Sequence, residues 1–496
     1  MKNGPMLNAY PDSVGGKLSK ITELLSKDDL SGAFSSFYVL PSLYHSDLDR
    51  GFSVIDYDLE DSLATQKDLE GLKALGIDLK LDIILNHAST KSPQFLDLLE
   101  KGEASEYADF FIDWNRFWEG HGTMTSEGYI QPDPELIKDM FFRKPGLPLL
   151  MVEMKDGTKK PYWNTFYQEI VEKEDGSKDY LGQMDLNIES PKVFDFYRNT
   201  LKKLASYGAS IIRLDAFAYA PKAPGRRNFL NEPETWDLLS SIRDFADPLG
   251  LTLLPEIHDT YSAKIYKKVA EKGFMTYDFF LPGLLIDAID RAKPDILVSW
   301  AKEIYDSGIK TVNMLGCHDG IPVLDLKGLL DDNEIQALID RIVGRGGLIK
   351  NLHGQKNMYY QVNSTYYSAL GADDNAMTLA RAIQLFMPGK PQVWYLDLFA
   401  GKNDLAAVEK AGPGGHKEIN RTNLSISDVE KALEKPVVKE QLRLLRLRNT
   451  HPAFDGGDFS VESEGALLTM SWKKDEQAIT LKADLKEKTY EIDILP

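Results

Sequence analysis

Eight short apolar runs, rich in leucine, β-branched and aromatic residues, recur along the chain between longer stretches of helical periodicity. They cover residues 6–10, 36–40, 79–85, 210–214, 251–255, 275–279, 311–315 and 392–395. Strand-length runs alternating with amphipathic helices are the pattern of parallel βα units, because a parallel crossover needs a covering helix. Helical spacing of apolar residues is plain at 16–30, 190–207 and 232–246. Eight such units fit a (β/α)8 TIM barrel, an α/β fold whose chemistry gathers at the C-terminal ends of its strands.

Two intervals are too long for ordinary βα loops. The third run ends near Asn86 and the fourth starts near Ser210. Without the helix at 190–207 this leaves about a hundred residues, enough for a small inserted domain. That insertion is dense in aromatics, including Phe110, Phe111, Trp114, Phe117, Trp118 and Trp163. A second insertion follows the seventh run. After a Leu- and Arg-rich helical stretch at 437–449 come a Gly-Gly turn and alternating segments at 466–472 and 478–482, which read as a small all-β domain. The expected division is barrel at 1–87, 185–318 and 377–455, inserted domain B at 88–184, inserted subdomain B′ at 319–376, and a C-terminal β domain at 456–496.

Charge narrows the class. With 58 Lys+Arg against 76 Asp+Glu the net charge is −18, so nucleic acid and anionic membrane surfaces are repelled. One cysteine, Cys317, excludes an internal disulfide framework and a Cys-rich metal site. No run reaches the roughly 18 uninterrupted apolar residues of a membrane span, the stretch from Phe279 being broken by Pro282 and Asp287. The opening residues lack the apolar core and cleavage site of a secretory signal, so a soluble, cytoplasmic protein is expected. A homodimer is left open.

Four of the eight strand ends carry concentrated polar chemistry: Asp82 through Asn86-His87, Arg213 with Asp215, Glu256 with His258, and His318-Asp319. A barrel needs no buried charge for stability, and an unpaired one costs several kcal/mol. Retaining glycoside chemistry needs a carboxylate nucleophile and a carboxylic acid/base about 5–5.5 Å apart. Asp215 and Glu256, at the ends of adjacent strands, suit those roles, and Asp319 can hold sugar hydroxyls and stabilise oxocarbenium charge. Arg213, two residues before Asp215 on the same strand face, is expected to lower the pKa of the nucleophile. Glu256, between apolar runs, is expected to keep its proton. Asp82 reads as structural, orienting the Asn86-His87 loop. No pair of histidines has HxH or HxxxH spacing, so no metal is expected.

That joint order, D-x-x-x-N-H, R-x-D, E and H-D, resembles the α-amylase clan of glycoside hydrolases, family 13. A narrower resemblance, over nearly the whole chain, is to sucrose phosphorylases. It is carried by Asp49-Arg50-Gly51-Phe52, Trp163-Asn164-Thr165-Phe166, Gln183-Met184-Asp185-Leu186, the segment from Arg213 to Tyr219, Glu256-Ile257-His258, the segment from Gln361 to Leu370, Ala400-Gly401-Lys402-Asn403-Asp404 and Ile419-Asn420-Arg421. The resemblance implies Asp215 as nucleophile, Glu256 as acid/base and Asp319 as transition-state stabiliser. It implies that Asp49, Phe52, His87, Gln183, Arg213, His318 and Arg421 hold the glucosyl ring, that Tyr219 and His258 face the acceptor, and that Gln361 belongs to the substrate-binding set. It further implies no metal or organic cofactor, inorganic phosphate as co-substrate, and the reaction sucrose + phosphate ⇌ α-glucose 1-phosphate + fructose.

The chain departs from that pattern on the acceptor side. Met358 stands where Asp is usual, Thr422 stands where His is usual, and residues 169–178 are an extra charged segment. The same transfer with fructose 6-phosphate, glycerol or glycerate as acceptor stays open, as does an amylase-clan hydrolase or transglucosidase. Phosphate must be held by cations beside a carboxylate. The candidates are Arg143 and Lys144 in the insertion and Arg226 and Arg227 in the fourth-strand loop, with Tyr360 as a further acceptor-side residue.

Overall fold

A computed structural model of the chain describes residues 2–351, 359–412 and 414–495. The eight runs form eight parallel strands: β1 (Met6–Ala9), β2 (Ser36–Val39), β3 (Asp78–Ile84), β4 (Ala209–Asp215), β5 (Thr252–Pro255), β6 (Thr276–Asp278), β7 (Thr311–Met314) and β8 (Lys390–Trp394). They are hydrogen-bonded in the order β5-β4-β3-β2-β1-β8-β7-β6, which leaves a seam between β5 and β6 in an otherwise continuous barrel. Helices such as Pro191–Ser206, whose Val193, Tyr197, Leu201 and Leu204 face inward at helical spacing, cover the outside.

Register sets the site. Arg213 lies opposite Asp82 of β3 on one side and Leu254 of β5 on the other, and Leu214 lies opposite Pro255. Side chains alternate along a strand, so Arg213 and Asp215 point into the barrel together with Asp82. Glu256 follows Pro255 directly and emerges beside Asp215.

The long interval after β3 folds as hairpins and short helices around a core of its own, Trp114, Trp118, Trp163, Ile130 and Met140. Its strand Lys178–Asp185 returns to the barrel and pairs with His87–Ser89, placing Gln183 and Asp185 over the end of β3. The extra charged segment is a protruding hairpin arm, Gln168–Glu172 against Lys178–Asp185, with every residue of the first strand exposed. After β7, the helix Asp332–Gly344 and the antiparallel strands Leu348–Asn351 and Tyr359–Asn363 make a second small unit. Arg345 grips Asp290 of the helix Leu281–Arg291 through two 2.9 Å bonds, and Arg341 reaches Asp287 at 2.8 Å. The helix Asp374–Phe386 begins inside the segment read as 319–376, because Asp373 caps it by accepting from the amides of Asn375 and Ala376.

The C-terminal domain is a four-stranded antiparallel sheet: β9 (Asp458–Glu464), β10 (Leu467–Lys474), β11 (Gln477–Asp484) and β12 (Thr489–Leu495). The sequence reading located the two central strands and missed the flanking pair. Trp472 of β10 docks this sheet by donating to the Phe386 carbonyl at 2.8 Å. Among the described residues no helix is long and apolar enough to cross a membrane.

Candidate active site

The centre is one guanidinium shared by three carboxylates. Arg213, 3% exposed, holds Asp82 at 2.5 Å and Asp215 at 2.7 Å through Nη1, and Glu256 at 2.9 Å through Nη2. Asp82 is therefore an anchor for Arg213, also accepting from the Tyr38 hydroxyl at 3.1 Å, rather than a support for the Asn86-His87 loop. Asp215 closes β4, and Ala216 turns the chain sharply with φ 52°. Burial raises the Asp215 pKa more than Arg213, acting as expected, lowers it, so the net shift is upward: the charges on Glu256 and Asp82 add to the rise, and Asp215 is pushed up to about 8. One guanidinium divided among three acids does not offset that desolvation.

The residues expected to hold the glucosyl ring are organised by one carbonyl. Asp49 and Arg50 both have left-handed backbones, and Gly51 follows at φ 110°, where a Cβ would stand 2.0 Å from the Ser42 nitrogen. This turn aims the Phe52 carbonyl inward, where it accepts from His87 Nε2 and Gln183 Nε2, both at 3.0 Å. Burial brings His87 down to about 4, so its ring is neutral at physiological pH. The Phe52 ring stacks on His318 at 5.2 Å between centroids, and His318 lies 3.4 Å from Asp319. Buried Arg421 donates to the His318 carbonyl at 2.8 Å and lies 3.9 Å from both Asp49 and Asp319. The structure thus joins Asp49, Phe52, His87, Gln183, Arg213, His318 and Arg421 in one network of contacts.

Several functional side chains were not read from the sequence. Lys417, four residues before Arg421, contacts Asp319 at 2.7 Å. Burial lowers its pKa, but Asp319 and Asp49 outweigh that and the ammonium is held raised. Asp325, buried, lies 3.2 Å from His258 Nδ1, while His258 Nε2 is 3.7 Å from Glu256 and the ring stacks on Phe279 at 3.7 Å. Burial lowers the His258 pKa, yet Asp325 and Glu256 leave it raised. Lys222 is a buried clamp: its ammonium meets Asp185 at 2.8 Å, Asn86 Oδ1 at 2.9 Å and the Tyr219 carbonyl at 2.6 Å. Asp185 in turn accepts from the Thr165 amide and hydroxyl. Asp185 stood in a recognised motif, but nothing in the local sequence named Lys222 as its partner.

The four expected acceptor-side cations separate into two groups. Arg143 lies 5.7 Å from the Phe166 ring and 5.9 Å from that of Tyr219, whose hydroxyl it bonds, and Arg227 acts on the same hydroxyl. Lys144 instead turns into domain B, bonded to Asn164 and to Gln168, and burial brings it down to about 8. Arg226 faces outward, 44% exposed, on the Glu232 carbonyl and Glu234. Gln361 is buried, with its side chain against Gly320. The Tyr360 side chain and Met358 lie outside the described residues.

Three comparisons bear on this geometry. Residues 32–307 match the family model for the α-amylase catalytic domain. The chain is 54% identical to sucrose 6(F)-phosphate phosphorylase of Ilumatobacter coccineus, over 99% of this chain and 96% of that one. It is 36% identical to sucrose phosphorylase of Streptococcus mutans, over 99% and 97%. The crystal structure of sucrose 6F-phosphate phosphorylase from Thermoanaerobacter thermosaccharolyticum superposes with a TM-score of 0.89 at 36% identity, covering 100% of this chain and 96% of that one.

Proposed function

The chain belongs to the sucrose phosphorylase family of the α-amylase clan, and from that premise we propose that it carries out phosphorolysis of sucrose phosphorylated on its fructosyl unit. In this reading Asp215 attacks the anomeric carbon as the bond to the fructosyl oxygen breaks, and Glu256 gives that oxygen its proton. A phosphate oxygen then attacks the same carbon, the bond to Asp215 breaks, and Glu256 takes the proton back. Two inversions give α-glucose 1-phosphate and fructose 6-phosphate. Asp319 lies beside His318 and Arg421 to steady the ring and the oxocarbenium charge.

The sequence reading put sucrose itself first. The observation that favours the phosphorylated donor is the pair of cations Arg143 and Arg227 beside Tyr219, the residue expected to face the acceptor, in a chain of net charge −18. A cleft that gathers positive charge on an acidic protein selects anions. Plain phosphorolysis brings one anion to the acceptor side, whereas with a phosphorylated donor both the departing fructosyl unit and the phosphate that replaces it are anionic.

The test is to supply phosphate with sucrose, sucrose 6F-phosphate, glucosylglycerol and glucosylglycerate in turn, following glucose 1-phosphate and free glucose. The phosphorylated donor is expected to give the highest kcat/KM. Arg143→Ala and Arg227→Ala should cut that preference by about ten- to a hundredfold, the worth of a charged hydrogen bond. Equal use of sucrose, unaltered in both variants, would return the assignment to sucrose. Release of glucose without phosphate would make the enzyme a hydrolase.

A further inference from the structure

Lys80 is a buried charge that the mechanism above does not use. It sits on β3 two residues before Asp82, on the same inward face, and is fully buried. Its side chain crosses the barrel. The amine lies 3.8 Å over the Tyr38 ring of β2 and 4.5 Å from the Tyr277 ring of β6, donates to the Tyr277 hydroxyl, and reaches Gln392 Oε1 of β8 at 2.7 Å. Two ring faces and two oxygens form a site for an ammonium rather than for a neutral chain. The barrel strands would be better filled there by an apolar residue, because burying an amine costs several kcal/mol.

We propose that Lys80 is a positioning residue for the catalytic carboxylates, its ammonium supplying the second buried positive charge beneath Asp82, Asp215 and Glu256. Lys80 adds to Arg213 a positive charge that favours ionisation in a cluster where burial otherwise holds the Asp215 carboxyl protonated. Retaining transfer needs that nucleophile ionised while the acid keeps its proton. The inference rests on the glucosyl transfer proposed above. The titratable or charged groups facing the amine are Tyr38, Asp82, Arg213, Glu256, Tyr277 and Cys317. Burial and Arg213 push the amine's pKa well down, and the pull of Asp82, Cys317 and Glu256 offsets this only in part. The same cation links β2, β3, β6 and β8, strands on both sides of the barrel, at the level just below the reacting groups.

The experiment is the pH dependence of kcat/KM and kcat from pH 5 to 9 for Lys80→Met and Lys80→Gln. Glutamine keeps a polar, hydrogen-bonding end at nearly the same reach but carries no charge. In both variants the acid limb, which reports ionisation of the nucleophile, should move up by about one pH unit, the size expected for removing one buried charge from the cluster. At pH 6 kcat should fall about tenfold while the donor KM stays within about threefold, because Lys80 does not touch the sugar. An unshifted limb in Lys80→Gln would overturn the proposal, leaving hydrogen bonding as the whole role of the residue. Should both variants fail to fold, Tyr277→Phe keeps the amine in place and is expected to leave the acid limb where it is. A shift there would overturn the proposal, since the phenol would then govern the cluster. Trapping the parent enzyme with a fluorinated glucosyl donor tests the transfer separately: an adduct away from Asp215 would sink that reading, whatever Lys80 does.

Discussion

Burial and charge oppose each other at Asp215, and both leave measurable traces. A buried carboxyl pushed up to about 8 binds a proton in the folded chain over a range where the unfolded chain has released it. Folding stability from this residue is therefore present at low pH and is lost as pH rises from about 4 toward 8. Asp215→Asn should abolish transfer and also melt higher than the parent, with a difference that widens from pH 5 to pH 8 to roughly 2–4 °C, the size of a 1 kcal/mol effect in a large domain. A constant or reversed difference across that range would show that the acid is not held protonated. Glu256→Gln separates the half-reactions: turnover of the natural donor should fall by about 10²–10⁴-fold, while an activated glucosyl fluoride still labels Asp215. Equal loss with both donors would remove Glu256 from the acid role. At this scale the three carboxylates were legible because a charge inside or just after an apolar run has no packing reason to be there. Lys417 and Asp325 were not legible, since each meets its partner only after the segments following β7 and β8 fold over the barrel.

Single elements carry the precision of the pocket. The turn of Asp49 to Gly51 fixes Phe52, and one carbonyl there orients both His87 and Gln183. The clamp at Lys222 joins three further elements, the end of β3, the loop after β4 and the returning strand Lys178–Asp185. Replacing Lys222 with Met strands the buried Asp185 charge, at a cost of about 3–5 kcal/mol. The expected outcome is a lower Tm together with a raised donor KM, because His87 and Gln183 sit on the elements released. A variant with unchanged Tm would show that the clamp is replaceable. The eight strands were legible as elements, their apolar runs being bounded by turn residues and helices. The outer strands of the C-terminal sheet were not, because β9 and β12 alternate charged and apolar residues at an edge and resemble exposed loop. The charged arm at Gln168–Glu172 was hidden for the same reason.

The whole molecule sets a field against which a few local cations act. At net charge −18 it repels a phosphorylated sugar, and Arg143 and Arg227 beside Tyr219 oppose that only at short range. Salt should therefore act chiefly at the longer range. Screening at about 0.15 M, with a Debye length of about 8 Å, weakens the long-range repulsion and leaves contacts inside the pocket largely intact. Raising ionic strength from 0.01 to 0.15 M is expected to raise kcat/KM for a phosphorylated donor modestly and to leave that for neutral sucrose flat. A steep fall for the phosphorylated donor would mean that the local cations dominate even at a distance. The seam in the barrel has a mechanical consequence. Asp215, the proposed nucleophile, ends β4, a strand hydrogen-bonded to β3 on one side and β5 on the other, whereas Glu256, the proposed acid/base, leaves β5, which has a paired neighbour only on the β4 side. In the proposed reaction the strand braced on both sides carries the group that bonds at one fixed point. The strand braced on one side carries the group that must follow first a departing oxygen and then an arriving one.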